Sequence, residues 1–434
     1  MSKSLNIAIA GLGTVGAEVA RQLTLNKEHF TRKAGQPFNL VAVSARDANK
    51  ERGFSMDGIE FCQNPLDLAA RQDVDMVIEL IGGSEGVAYD LVSSALNQGC
   101  HVVTANKALL AHHGLALAAS AEDSGLALAG EASVAGGIPV IKMLKESLAG
   151  NHLTRITGIL NGTCNYILSV MQHENREFED VLAEAQALGY AEADPSFDID
   201  GVDAAHKLAI LSSIGFGYAP AIDEVSITGI RQITLTDMKN ALHLGCTIRL
   251  LGEVERNSDG QVAAMVRPVL LPLDNSLAKI DGPLNAVAFT GEPIGAVTAI
   301  GPGAGAGATA SAVLADVIDI AQGRISPFFG EPASMLKPAQ GQAQNNRAER
   351  HFIRLQVYDR PGVLADVTAI LRQHDISVKS INQPSRSEDG IHGDVPIIMT
   401  THETVASELF AAMAEITDLS TVLAEPVVLS IGHD

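Results

Sequence analysis

Positive charge is in short supply in this sequence. Its 30 Lys and Arg face 51 Asp and Glu, for a formal charge of -21. Nucleic acid and anionic membrane both need a basic face, so neither is an expected partner. Cysteine is scarce too: Cys62, Cys100, Cys164 and Cys246 stand far apart. There is no C-x-x-C and no H-E-x-x-H, so no structural zinc or zincin site is visible. The four read as reduced cytosolic thiols. No apolar run approaches the roughly 18 residues that a membrane span requires. The opening M-S-K-S-L-N-I-A-I-A-G-L-G has an apolar part too short for a signal peptide and runs straight into a glycine turn. A cytoplasmic protein is expected.

Ala, Gly and Val are what the chain has in quantity. With 46% hydrophobic residues over 434 positions, it suits a soluble α/β protein of two or three domains with a sizeable core. Residues 5–10 form an apolar run fit for a buried strand. Gly11-Leu12-Gly13-Thr14-Val15-Gly16 follows, and Val15, Val19 and Leu23 then recur at helical spacing. This is G-x-G-x-x-G between a strand and a helix, where it marks dinucleotide binding. The first glycine permits the turn and the second lets the backbone approach a pyrophosphate. The third lets helix and strand pack, leaving the helix N-terminus free for the phosphates. Residues 40–44, 74–80, 101–104 and 125–129 read as further strands, with a helix near 87–97. Before residue 40 the connection is long and polar, with Lys27, Arg32 and Lys33. Such alternation implies a parallel, doubly wound sheet of Rossmann type over residues 1–135.

The end of the second strand bears on cofactor choice. Arg46 there suits a 2′-phosphate, whereas Asp47 suits a ribose hydroxyl. NADP is favoured and NAD stays open; an arginine merely solvated in a loop is the alternative. Ile81-Gly82-Gly83 and Thr104-Ala105-Asn106-Lys107 fall at the carboxyl ends of later strands, the ligand-binding edge of an open parallel sheet. Ile81, Gly82, Thr104 and Lys107 are therefore cofactor candidates.

Residues 189–207, G-Y-A-E-A-D-P-S-F-D-I-D-G-V-D-A-A-H-K, gather Glu192, Asp194, Asp198, Asp200 and Asp203. Pro195 and Gly201 break the stretch, so an acidic loop is expected to open a helix buried through the apolar 208–211. Asp203 and Lys207, four apart, share one face of its first turns. Carboxylates beside a lysine suit an ammonium-bearing substrate and a proton donor. By itself the stretch also reads as an ordinary exposed ion pair above a solvated loop. An EF-hand fails on its glycine and closing glutamate. His206 points about 100° away from Lys207 on a helix and is read as non-catalytic.

Residues 181–188 read as helix, and alternating segments at 262–271 and 286–289 as antiparallel sheet. Residues 136–320 are thus an α+β domain. The glycine-rich 301–308 is either filler or, through Gly303, a nicotinamide contact. Residues 305–339 are expected to pack back on the first domain. The polar 340–350 lacks an apolar face and reads as a linker. Strands at 352–357, 376–381, 395–401 and 427–431, with helices at 363–373 and 404–416, give a β-α-β-β-α-β, ferredoxin-like order over 351–434.

These motifs together resemble the homoserine dehydrogenases over nearly the whole chain. The family's G-x-G-x-V-G, I-G-G, T-A-N-K, E-A-[ST]-V-x-x-G-I-P, N-G-T-x-N-[YF]-I and G-Y-x-E-x-D-P-x-x-D-[LIVM]-x-G-x-D-x-A-x-K occur here in order. With no kinase-like stretch before them, the likeness is to the monofunctional enzymes. The sequence D-R-P-G-V-L-A at 359–365 resembles the ACT domain. The resemblance implies reduction of L-aspartate 4-semialdehyde to L-homoserine in threonine, methionine and isoleucine biosynthesis. It implies that the domain at 136–320 is for substrate and dimerisation. It implies Lys207 as proton donor, with Lys107 as the second catalytic lysine beside the nicotinamide. Glu192, Asp203, Asp198, Tyr190 and Thr163 would bind substrate, with Glu192 on its ammonium, and Gly189 would lie near the cofactor. Glu131, Val134, Gly136 and Ile138 match a monovalent-cation site, taken as sodium. The ACT domain implies L-threonine as feedback inhibitor, near Gly362 and Asn382, and edge-to-edge pairing within a homodimer or homotetramer.

The chemistry is sound on residue types alone. Hydride arriving from a nicotinamide leaves negative charge on the former carbonyl oxygen, and a nearby ammonium can stabilise and protonate it. Burial or a second cation makes a lysine a better donor, and Lys107 and Lys207 could perturb each other in this way. Two rivals remain. One is an aldehyde-oxidising dehydrogenase with Cys164 as nucleophile, which needs an activating base. The other is a non-catalytic Rossmann-ACT amino-acid sensor.

Overall fold

The computed structural model describes residues 4–257, 260–339, 347–383 and 394–432. Its first sheet is parallel throughout: β1 (Leu5–Ala10), β2 (Phe38–Ser44), β3 (Glu60–Cys62), β4 (Met76–Glu79), β5 (His101–Thr104) and β6 (Leu128–Ala129), in the order β3-β2-β1-β4-β5-β6. The order reverses between β1 and β4, and a dinucleotide crevice belongs at their carboxyl ends. Covered on both faces, β1 needs no polar side and reads as an unbroken apolar run. Ala8 and Ala10 enter one buried cluster and Ile7 and Ile9 the other. The helix Ala306–Ala321 completes the second face, its Ala310, Val313 and Val317 packing with Ile7, Ile9 and Val19.

Three details differ from the sequence reading. The polar connection before β2 holds a helix, Lys27–Ala34, whose apolar contribution is only Phe30 and Ala34. The three-residue β3 was too short to register as a strand. The segment expected to stay on the first domain turns away by its end, where Lys337 exchanges backbone bonds with Gly217 and Ala219.

A second, mixed sheet runs through the rest. It contains β7 (His152–Ile159), β8 (Ser226–Ile227), β9 (Cys246–Arg256), β10 (Val262–Pro272), β11 (Leu284–Glu292) and β12 (Gly295–Pro302). From the last domain come β13 (Ala348–Tyr358), β14 (Val378–Asn382), β15 (Asp394–Thr401), β16 (Thr404–Val405) and β17 (Val427–Ile431). The path is β12-β11-β7-β9-β10-β17-β13-β15-β14. Two sheets expected to be separate are therefore one, joined where β17 lies parallel to β10 (Val269 beside Ser430, Leu270 beside Ile431). Periodicity shows which residues alternate but not which edges meet. The last four positions of that path, with helices Val363–Gln373 and Ala406–Thr417, form the ferredoxin-like unit. Of the expected linker, residues 340–346 lie outside the described residues, and Ala348 already belongs to β13. No helix among the described residues is long and apolar enough to cross a membrane.

Candidate active site

At the glycine turn, each glycine has a separate reason. Gly11 has φ +95°, and a Cβ there would strike the Leu80 carbonyl; one on Gly16 would strike the Gly11 carbonyl. A Cβ on Gly13 would meet nothing within 4 Å. The first and third glycines thus answer to the protein's own packing, and the second faces open space. Helix Thr14–Leu25 starts there, with no side chain capping it at Gly13. The N–H groups of its first turn, which includes Thr14 and Val15, have no intrahelical partner, the kind of helix start that suits an anion. Arg46 is exposed just past β2 and, among the described residues, makes no hydrogen bond or ion pair. Sequence reading passed over Arg52, a basic residue in a polar loop with nothing to single it out. It donates to the Leu12 carbonyl (3.2 Å) and to those of Lys50 and Asp47, lacing the loop after β2 to the glycine turn.

The next two strand ends are fastened by Glu79, a buried acid closing an apolar strand. Its carboxylate accepts from the N–H groups of Ile81 (2.7 Å) and Gly82 (3.1 Å) and from the Thr104 hydroxyl (2.6 Å). Thr104 is thereby sealed inside, while Ile81 and Gly82 are exposed on the crevice rim. Asn106 donates to the Gly83 carbonyl and caps helix Lys107–Asp123 through the Leu109 N–H. Lys107 is therefore the first residue of that helix, at the carboxyl edge of the sheet.

The plain exposed-pair reading of Asp203 and Lys207 is wrong, because both are buried, at 4% and 8% exposure. Their helix, Val202–Phe216, packs on β9, β10 and helix Lys107–Asp123. Its polar pair therefore lies where the first and middle domains meet. The Lys207 ammonium donates to Asp203 Oδ2 (2.7 Å) and the Leu160 carbonyl (2.8 Å). From the first domain, Lys107 Nζ reaches Asp203 Oδ1 at 3.0 Å and lies over the Phe197 ring. Asn161, which caps helix Gly162–Glu174, donates to both Asp203 Oδ2 and Asp198 Oδ1 at 2.8 Å. Burial alone would raise the Asp203 pKa, but Lys207 and Lys107 outweigh it and hold the carboxyl well below the usual range. Asp198 shifts the other way: burial raises it, against the Asn161 hydrogen bond.

The other acids of the stretch diverge. Asp194 accepts from the Ser196 N–H, and Asp200 turns outward to Arg231. The Glu192 side chain is exposed. Tyr190 is exposed, its ring tilted against that of Tyr166 with centroids 4.9 Å apart; its carbonyl accepts from the Thr163 hydroxyl (2.7 Å). Gly189 is exposed with φ +78°. No group of three or more His, Cys, Asp or Glu among the described residues is placed to hold a metal ion. His206 is buried against Phe197, with its Nε2 3.3 Å from His112 Nε2, and burial first, then His112, lowers its pKa to about 4. Cys164 is fully buried and its Sγ points to the Asp198 carbonyl (3.2 Å). Burial, then Asp198 and Asp203, push the thiol far above its ordinary pKa. That is the reverse of an activated nucleophile.

Glu131 is buried and accepts from the Ile141 and Lys142 N–H groups. Burial, then Asp316, push it up to about 7. Its side chain is thus engaged at a helix start. Val134 and Gly136 are buried residues whose carbonyls, among the described residues, accept no hydrogen bond, whereas that of Ile138 accepts from Val140. Gly303 is wedged between Gly136 and Asn285: a Cβ at Gly136 would strike the Gly303 carbonyl, and one at Gly303 the Asn285 side chain. In the last domain, Gly362 (φ +99°) opens helix Val363–Gln373, and Asn382 donates to Asn240 of the middle domain at 3.3 Å.

Three family models match the chain: homoserine dehydrogenase over residues 139–318, homoserine dehydrogenase NAD binding domain over 11–131, and ACT domain over 351–421. A homoserine dehydrogenase of Pseudomonas aeruginosa is 40% identical over 427 residues, 97% of each chain. The crystal structure of one from Thiobacillus denitrificans superposes with a TM-score of 0.91 at 39% identity, covering 99% of this chain and 98% of that one. A hyperthermophilic archaeal homoserine dehydrogenase in complex with NADPH gives 0.64 at 28% identity, covering 75% of this chain and all of that one. With a nicotinamide-type glycine turn, a cross-domain lysine pair and relatives matched end to end, the chain belongs to the homoserine dehydrogenase family of NAD(P)-dependent oxidoreductases.

Proposed function

We propose that Lys207 is the proton donor in the reversible reduction of L-aspartate 4-semialdehyde to L-homoserine. The observation that carries this reading is the buried Asp203, which offers one oxygen to each of two lysines. A bound nicotinamide supplies or accepts the hydride. Lys207 Nζ gives a proton to the aldehyde oxygen and takes it back in the direction of oxidation, its charge favouring the developing negative oxygen. Asp203 balances the two amines and fixes both, so Lys107 is held at the cofactor edge beside the reacting carbon. The free Glu192 carboxylate takes the substrate ammonium; Asp198, Tyr190 and Thr163 complete the wall. Gly189 and Gly303 border the cofactor.

NADP is the preferred cofactor, supported by the unengaged Arg46 guanidinium past β2 and by the NADPH named for the archaeal relative. The loop holding Glu131, Val134, Gly136 and Ile138 takes a sodium ion, supported by the Val134 and Gly136 carbonyls, which accept no hydrogen bond among the described residues and suit a hard cation. The ion would support the loop and take no part in proton transfer. Residues 1–135 form the dinucleotide domain, 136–320 the substrate and dimerisation domain, and 351–434 the ACT domain, in a cytoplasmic homodimer or homotetramer. L-threonine binds the ACT domain near Gly362 and Asn382 as feedback inhibitor.

The test is homoserine-dependent reduction of each nicotinamide cofactor, with and without threonine, by wild type and Lys207→Ala. The variant is expected to bind cofactor normally and lose about 10² or more in kcat. A loss confined to KM would make Lys207 a substrate-binding residue only.

A further inference from the structure

The acidic loop that leads to Asp203 is gripped from a side that takes no part in proton transfer. Ile230 N–H donates to the Ile199 carbonyl (2.8 Å), and Gly229 lies so close to Ile199 and Asp200 that a Cβ would overlap their backbone. Arg231 clasps both carboxylate oxygens of Asp200 and donates to the Ser196 hydroxyl (2.8 Å). Residues 229–231 therefore fix the loop by backbone, by packing and by charge. Three residues after Asp198 comes Gly201, whose N–H closes the turn on the Asp198 carbonyl (2.9 Å), and Asn161 ties Asp198 to Asp203. Displacing residues 229–231 must displace this loop.

The segment is held in turn by the last domain. Arg354, on β13, donates to the Gln232 carbonyl (3.0 Å) and to Asp237 Oδ1 (2.7 Å). Asp237 is fully buried, and its other oxygen accepts from the N–H and hydroxyl of Thr234, capping helix Leu235–His243. Arg354 thus neutralises the carboxylate on which that helix start depends, and it holds the carbonyl next to Arg231. A second contact, Asn382 to Asn240, reaches the same helix from β14. An unpaired buried Asp237 would be costly. Any shift of β13 relative to the middle domain must therefore carry the 229–237 segment with it or break this pair.

We propose that Arg354 is a positioning residue that couples effector binding in the last domain to the loop carrying Asp198 and Asp203. This rests on the reading that an amino-acid effector acts through that domain. The coupling runs from Arg354 through Asp237 and Gln232 to Arg231, and from there to Asp200.

The test compares full-length wild type with Arg354→Ala, measuring threonine binding by calorimetry and its inhibition of homoserine oxidation. In the variant, threonine is expected to bind still, while the inhibition midpoint rises about tenfold or more. The KM for homoserine should rise with kcat little changed, and Arg354→Lys should restore part of the coupling by keeping the charge on Asp237. Unchanged inhibition in Arg354→Ala, or loss of threonine binding with it, overturns the proposal. A wild-type enzyme that threonine binds but does not inhibit overturns the coupling alone; one that threonine does not bind removes the effector reading as well. Should Arg354→Ala fail to fold, Arg231→Ala at the exposed Asp200 pair decides. Weakened inhibition there supports the route, and wild-type inhibition overturns it.

Discussion

Cys164 stands three residues after Asn161 in N-G-T-C-N-Y, close to the pocket yet turned away from it. Its sulfur is sealed beneath the Asp198 carbonyl, so replacing it with alanine removes one buried atom and no chemistry. Cys164→Ala should cost about 1 kcal/mol of stability, as for a small core truncation, and leave kcat for homoserine nearly unchanged. A near-total loss of activity would restore the thiohemiacetal mechanism. At this scale the sequence showed residue types well and surroundings poorly. The spacing of Asp203 and Lys207 was visible, but an exposed pair and a buried one are spelled alike. Only the fold brings Lys107 from another domain to the second oxygen of Asp203. Glu79 and Asn161 went unnoticed as fasteners because each acts through backbone and neighbouring strands rather than through a motif. Glu131 was legible only through resemblance; its carboxylate turned out to be engaged by the Ile141 and Lys142 N–H groups.

Among elements, the strand, turn and helix at residues 5–25 were the most legible, because each glycine obeys a different local rule. That difference makes a comparison of two similar substitutions informative. Gly16→Ala forces a Cβ into the Gly11 carbonyl, so strand and helix must part. It should lower the melting temperature even without cofactor. Gly13→Ala meets nothing within 4 Å and sits at φ -71°, which alanine accepts. It should melt like wild type and raise the KM for cofactor by filling the space left for pyrophosphate. Equal melting losses in both would mean that Gly13 too serves the protein's own packing. Illegible elements were those whose stability comes from elsewhere. Helix Lys27–Ala34 offers two apolar residues to the core, and β3 has three residues held in place by β2. In the acidic stretch, the short helix Ser196–Ile199 follows Pro195 in what had read as loop throughout. Neither period nor propensity marks a single helical turn.

For the whole molecule, the ferredoxin-like order was readable while its attachment was not, and the attachment changes what truncation should do. The proposed catalytic lysines, Lys107 and Lys207, and the Asp203 that holds both precede residue 340. An enzyme ending at Ala339 therefore keeps its chemistry, and it should turn over homoserine without responding to threonine. It should not, however, be a clean catalytic core. Phe352, Ile398, Val427, Leu429 and Ile431 share one buried cluster with Leu250, Val266 and Leu270 of the middle domain. Removing them bares that apolar face and leaves β10 as an unpaired edge where β17 had lain. Open apolar edges recruit other strands. The truncated enzyme should melt at a lower temperature and self-associate, as seen by light scattering during chromatography, while its turnover per folded chain stays near that of the full chain. If instead it runs as one sharp species with an unchanged melting temperature, the shared sheet contributes nothing to stability, and the last domain is a detachable appendage.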